Sequence, residues 1–214
     1  MAAIQDVTTG TTAKIEVGGV QRSVIHPIGD RYSISGLTGT IGAALGANSC
    51  IFAMRLDPAT TRVAKISRIR VGYTTIVAYT VPITAGRRLA LFRGGTAALT
   101  GGTAYTGMSK KDTASPASQF DTAEGGDARF ATTAALTLGA TTFDTNPIRS
   151  MTLSHVGAAG AFYDDTWEFD GAHAAPIVLR PGELIGFRNP VAMDAAGTWQ
   201  LMVSVDWTEL LELA

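Results

Sequence analysis

The chain has little of what chemistry usually needs. One cysteine in 214 residues rules out an internal disulfide. Its three histidines, His26, His155 and His173, lie far apart, and none stands at the spacing of a metal-ligand pair. No Gly-x-Ser-x-Gly, no phosphate loop ending in Gly-Lys-Ser/Thr and no Cys/His nucleophile pairing is present. The expectation is a protein that is not an enzyme and holds no cofactor. Charge is scarce too: 16% of residues are charged, and 17 basic against 18 acidic residues leave a net charge of −1. Lysine and arginine nowhere gather into a run, which argues against nucleic acid as a partner. No apolar run approaches bilayer length, and no basic stretch precedes an apolar one at the N-terminus, so no membrane partner and no cleaved export signal are expected.

Convincing helix periodicity is missing as well, and what stands in its place is alternation. Trp199, Leu201, Val203, Val205 and Trp207 fall on one side of an extended chain, with Gln200, Ser204 and Asp206 on the other. That is a strand with one face on a core and one partly wet. Similar signals recur at Tyr32–Ser35, Cys50–Leu56, Val63–Thr75, Ile76–Ile83, Arg87–Arg93, Arg149–Val156 and Thr166–Phe169. Ile177 to Phe187 reads as two short strands joined by Arg180-Pro181-Gly182-Glu183, where proline sets φ and glycine takes the positive φ of a type II turn. Asp57-Pro58-Ala59-Thr60 is another turn. Many short strands with Gly/Pro turns predict an all-β, jelly-roll-like sandwich.

The organisation expected is an extended N-terminal arm over 1–29 and a single sandwich domain over 30–214. Within the latter, residues 94–147 form a Gly-, Thr- and Ala-rich excursion over one end of the sandwich. A loop of that length is usually functional or an interface element. With 46% apolar residues a core is available, yet the surface must rest on neutral groups and 24 glycines. Low charge of this kind points to a surface that faces other protein, or to a domain merely rich in alanine and threonine.

Three segments carry candidate chemistry. Cys50 shares a strand face with Phe52, Met54 and Leu56 and reads as a small core residue. Ile69 and Val71 share a face while Arg68 and Arg70 point away, as on a solvated or interface strand. Tyr163 to Asp170 mixes acids and aromatics: alternate carboxylates suit calcium, and Tyr163, Asp165 and Trp167 suit a sugar ring. The plainer account is an acidic turn leading into a strand whose Trp167 and Phe169 face the core. The Pro181-Gly182-Glu183 turn is also found in cupin-like jelly rolls, but the His-x-His pair of a metal cupin is missing.

Tyr32-Ser33-Ile34-Ser35-Gly36-Leu37-Thr38-Gly39-Thr40, Ala43 to Ser49, Phe52 to Arg55, Arg62 to Ile66, Asp127 to Thr137, the Pro-Gly-Glu turn and Gly197 to Trp207 together resemble virion structural proteins of tailed bacteriophages. The resemblance covers most of the chain from Tyr32 and consists of packing and turn residues, so it carries no active site across. It implies a jelly-roll head decoration, or cement, protein on the outer capsid surface of the virion, made in the host cytoplasm. Its implied partners are the major capsid protein and copies of itself as a homotrimer. The contacts expected are Ile15, Val17, Val20 and Arg22 in the arm, with Arg68 and Arg70. The alternative is a tail or fibre module that binds a host glycan through Tyr163, Asp165 and Trp167.

Overall fold

The computed structural model describes residues 3–5, 12–14, 29–42, 44–80, 87–95, 97–153, 158–169, 175–193 and 196–211. In chain order the strands among them are β1 (Ala3–Gln5), β2 (Thr12–Lys14), β3 (Asp30–Leu37), β4 (Ser49–Arg55), β5 (Arg62–Val77), β6 (Arg88–Gly95), β7 (Thr103–Ala104) and β8 (Ser109–Lys110). There follow β9 (Asp127–Phe130), β10 (Thr142–Phe143), β11 (Arg149–Thr152), β12 (Phe162–Glu168), β13 (Ile177–Leu179), β14 (Glu183–Asn189) and β15 (Thr198–Leu211). The one helical element among the described residues is a 3-10 turn, Thr122–Glu124.

Two antiparallel sheets pack face to face. The first has the order β10-β6-β14-β4-β9-β7 with β11 also on β6; the second has β12-β5-β15-β3-β8 with β13 also on β5. Eight strands make the framework. β4-β14-β6-β11 lie in the first sheet and β3-β15-β5-β12 in the second, which is jelly-roll order. In the N-terminal region β1 and β2 pair with each other in a small sheet of their own.

The longest pairing joins β5 to β15. Trp199, Leu201, Val203, Val205 and Trp207 are buried, as their alternation predicts. On β5 the buried positions are Ala64 and Ile66, then Ile69, Val71, Tyr73 and Thr75. The switch from even to odd numbers comes from a bulge: Asp206 faces Arg68 and Trp207 faces Ile66, so Ser67 is the extra residue. A second irregularity lies in β4, where Arg188 faces Cys50 while Phe187 faces Phe52. It takes Cys50 out of the row it was expected to share with Phe52 and Met54. Cys50 is nonetheless fully buried, and burial pushes its thiol up to about 12.

Aromatic rings join the layers. Trp167 of the second sheet packs on Phe187 of the first at 5.6 Å, and within the first sheet Phe52 lies 4.8 Å from its cross-strand partner Phe130. The turn at Arg180-Pro181-Gly182-Glu183 forms as read, with φ of 81° at Gly182 and Glu183 N–H donating to the Arg180 carbonyl at 2.9 Å. Past Val77 the strand expected over Ile76–Ile83 does not continue through residues 78–80; 81–86 lie outside the described residues.

The excursion does more than cross one end. It places β8 beside β3, β9 beside β4 and β10 beside β6, so it lengthens both sheets. It also covers the outer face of the first sheet. Phe143 lies against Gly186, where a Cβ would come within 3.1 Å of its ring, and meets Phe92 edge-on at 6.4 Å. Arg188 stacks over both rings, and Leu99 of the excursion is itself buried. Ala53, Arg55, Ala90, Phe92 and Asp127 are buried on this side.

A buried carboxylate pins the excursion to the second sheet. Glu209 continues the inward row of β15 and accepts from Ser118 Oγ at 2.6 Å, Gln119 N–H at 3.0 Å and Trp207 Nε1 at 3.1 Å. Phe120 packs edge-on against Trp207 at 5.2 Å. Burial raises the Glu209 carboxyl above its ordinary value, against these donors and the Arg62 charge. Between those two values the folded chain keeps a proton that the unfolded chain releases, so stability falls as pH rises through the interval. The denaturant midpoint is therefore expected to increase as pH is lowered from neutral towards the ordinary glutamate range. Glu209→Gln, which still accepts from Ser118, should flatten that increase, while Asp127, also raised by burial, keeps its own contribution. Equal slopes in the two proteins would show that Glu209 does not titrate there.

Candidate interaction face

Among the described residues none covers the outer face of the second sheet, whose side chains follow from register. Arg31, Thr208, Lys65 and Val178 form one cross-strand row; Ser33, Asp206, Arg68 and Glu168 form the next. Then come Ser35, Ser204, Arg70 and Thr166, followed by Leu37, Met202, Gly72 and Asp164, and finally Gln200, Thr74 and Phe162. Each strand contributes the residues that alternate with its buried ones, so the row pattern is a direct product of the two-residue period.

The middle rows are tied by charge. Arg68 bonds Asp206 at 2.7 Å, Lys111 approaches the same carboxylate at 3.5 Å, and Arg70 holds Asp164 in a two-pronged pair at 2.5 and 3.1 Å. The Arg70 hydrogen bonds keep the Asp164 carboxyl below the usual range. Ser35 and Ser204 share a hydroxyl bond of 2.8 Å. Solvent-facing pairs of this kind add little stability, but they hold the long side chains in place.

The two ends of the face differ. At one end Arg31, Lys65 and Lys111 surround an open depression of about 490 Å3, with Ser67, Asp206 and Thr208 also lining it. Among the described residues no acid pairs with Arg31 or Lys65. Beside it, Arg68, Arg70, Asp164 and Ser204 line a shallower hollow of about 330 Å3. The other end is apolar: Leu37 is 53% exposed, Phe162 75%, and Ile76 and Val77 are exposed at the end of β5.

Arg68 and Arg70 stand where the sequence places them, outward. Of the other candidates, Tyr163, Asp165 and Trp167 are brought together but turn inward. Tyr163, Asp165 and Trp167 lie on the inner side of β12, which is strand throughout Phe162–Glu168, with no acidic turn before it. Trp167 is fully buried, its ring against Phe187 and the Arg149 guanidinium, so it offers no face for a sugar. The Asp165 carboxylate accepts from Trp167 Nε1 at 2.6 Å, Tyr163 hydroxyl at 3.3 Å and Thr166 N–H at 2.8 Å. Ile15, Val17, Val20 and Arg22 lie outside the described residues, as do His26, His155 and His173. Among the described residues no three His, Cys, Asp or Glu side chains come together as a metal site requires.

The residue that sequence reading missed is Phe162. The signal was available: if Trp167 and Phe169 face inward, the even-numbered residues of the same strand face outward, and a phenylalanine at 162 is then stranded in water.

The Asp165 contacts also bear on the edge of the sheet. β5 bonds to the odd-numbered residues of this segment, as Thr75 N–H to Ala161 carbonyl and Phe169 N–H to Ser67 carbonyl show. The even-numbered amides thus point away from β5, and Asp165 occupies that of Thr166. A charge on the inner side of an edge strand, with one edge amide already taken, discourages strand addition. No family model matches the chain, and no curated protein matches it.

Because Trp167 fills the space between the sheets, Trp167→Ala should behave as a core truncation, costing about 3–5 kcal/mol. Urea unfolding checks this. A variant as stable as the parent would place the ring outside the core.

Proposed function

We propose that this chain is a structural protein that works by burying the bare face of its second sheet against another protein, as a decoration protein on the outer surface of a tailed-phage head. The observation that carries this reading is the unequal treatment of the two outer faces. Among the described residues the excursion covers one, while the other carries charges tied in ion pairs and exposed apolar side chains. An uncovered apolar cluster on a rigid sheet is characteristic of an interaction surface. The sequence resemblance to virion structural proteins supplies the assembly, with the major capsid protein as partner and the homotrimer as the form in which the chain binds. A closed ring of identical subunits uses head-to-tail contacts, and the arm ahead of Asp30 is the segment suited to reach a neighbour. A glycan-binding role has lost the aromatic platform it needed in Trp167.

Copy number tests the reading. Quantitative mass spectrometry of purified particles should find the chain in hundreds of copies per particle; none, or only a few, would overturn the decoration role. Deleting residues 1–28 should leave a sandwich that melts cooperatively and no longer sediments with particles. Unchanged occupancy after that deletion would remove the arm from the mechanism.

A further inference from the structure

We infer that the bare face docks a protein surface that is acidic at one end and apolar at the other, with Phe162 as the apolar anchor. This inference rests on the reading that the second sheet's outer face meets the partner, and it specifies what that partner presents.

The polarity of the face sets the chemistry. Arg31 and Lys65 have no acid to neutralise them among the described residues, and Lys111 only shares Asp206 with Arg68. An open depression of about 490 Å3 between them has room for carboxylate side chains of a partner. At the far end Phe162 of β12, Ile76 and Val77 of the neighbouring β5, and Leu37 of β3 across the sheet expose apolar surface. Phe162 is the largest of these, 75% exposed, and its backbone is already fixed by pairing with β5.

Two other occupants fit less well. A phosphate backbone would have to pass Asp164, Asp206 and Glu168, which stand among the cations. It would also find no exposed ring near them to stack a base, because Tyr32 and Trp207 are buried. A second copy using the same face meets it either like end to like end, cations on cations, or cations on the apolar end. Neither arrangement is complementary.

The two ends predict different responses. Contacts at the cationic end are solvent-rimmed, so they steer association and weaken with salt; the Phe162 contact is desolvated and governs dissociation.

Poly-L-glutamate titrated into the isotope-labelled full chain should move the backbone amide signals of Arg31, Lys65 and Lys111. The double variant Arg31→Glu/Lys65→Glu should weaken that binding about tenfold or more. No shift at these residues, or tighter binding of an oligothymidylate of equal charge, would overturn the acidic-protein assignment. In the second arm, particles stripped of the chain are re-bound with wild type, the double variant and Phe162→Ser. Phe162→Ser should keep the parent's melting temperature and amide spectrum yet bind about tenfold more weakly or worse, through faster dissociation. A Phe162→Ser chain that binds like wild type would remove Phe162 as anchor. Failure of wild type itself to bind particles would sink the decoration role alone, because the polyglutamate arm judges the charge assignment without particles. Concentration-dependent dimerisation blocked by Phe162→Ser would instead identify a second copy as occupant and overturn the inference.

Discussion

The pairing of β5 with β15, with its extra residue at Ser67, is the constraint on which the rest of the molecule depends. A strand shows alternate residues to alternate faces, so a ladder this long fixes the address of every side chain it holds. Without the bulge, the face that buries Ile69, Val71 and Tyr73 would also receive Lys65, and Ile66 would turn to water. The bulge lets both halves of β5 feed one core while Lys65, Arg68 and Arg70 all emerge on the other side. Core and outer face are therefore specified together: the same irregularity that completes the hydrophobic layer also brings the cations to one surface.

The excursion between β6 and β11 makes the two sides of the sandwich unequal. Its glycines and small residues let it run close over the first sheet, and a few larger side chains do the sealing. Phe143 sits on Gly186, Leu99 is buried, and Phe120 closes on Trp207. The carboxylate of Glu209 then fastens Ser118 and Gln119 to the end of β15. Burying that charge is unfavourable in itself, as the raised carboxyl shows, and three donors offset it. What looks in sequence like a loose Thr/Ala linker is in fact the second coat of the first sheet.

Much of the fold was legible because it rests on local period. The terminal strand, the Pro181-Gly182 turn, the long β5 and the outward Arg68 and Arg70 all follow from alternation and turn chemistry. What escaped depends on contacts between residues distant in the chain. Nothing near Ser67 or Ile51 announces a bulge, because a bulge is defined by the partner strand. Glu209 reads as an ordinary polar residue near a terminus until the excursion supplies its donors. At β12 the plainer reading, with Trp167 and Phe169 facing the core, holds; carried along the strand, the same parity turns Tyr163 and Asp165 inward and leaves Phe162 outside. Of the segment expected as an extended arm, only the small β1–β2 pairing is described.

Edge protection and face exposure belong to one argument. A sandwich can recruit a neighbour by strand addition or by laying a face against it. Asp165 sits on the inner side of β12 and takes the Thr166 amide, so the longest open edge of the second sheet is blunted. At the opposite edge β8 is only two residues long and β3 already pairs with it. Strand addition is thus disfavoured at the β12 border and along the part of β3 that β8 covers, and among the described residues the outer face is left unobstructed. The ion pairs across that face hold Arg68, Arg70 and Asp164 in place before any partner arrives, so docking need not order them. A surface that is flat, already ordered and bordered by guarded edges is suited to meeting another protein face to face, and that mode of contact requires no catalytic group from this chain.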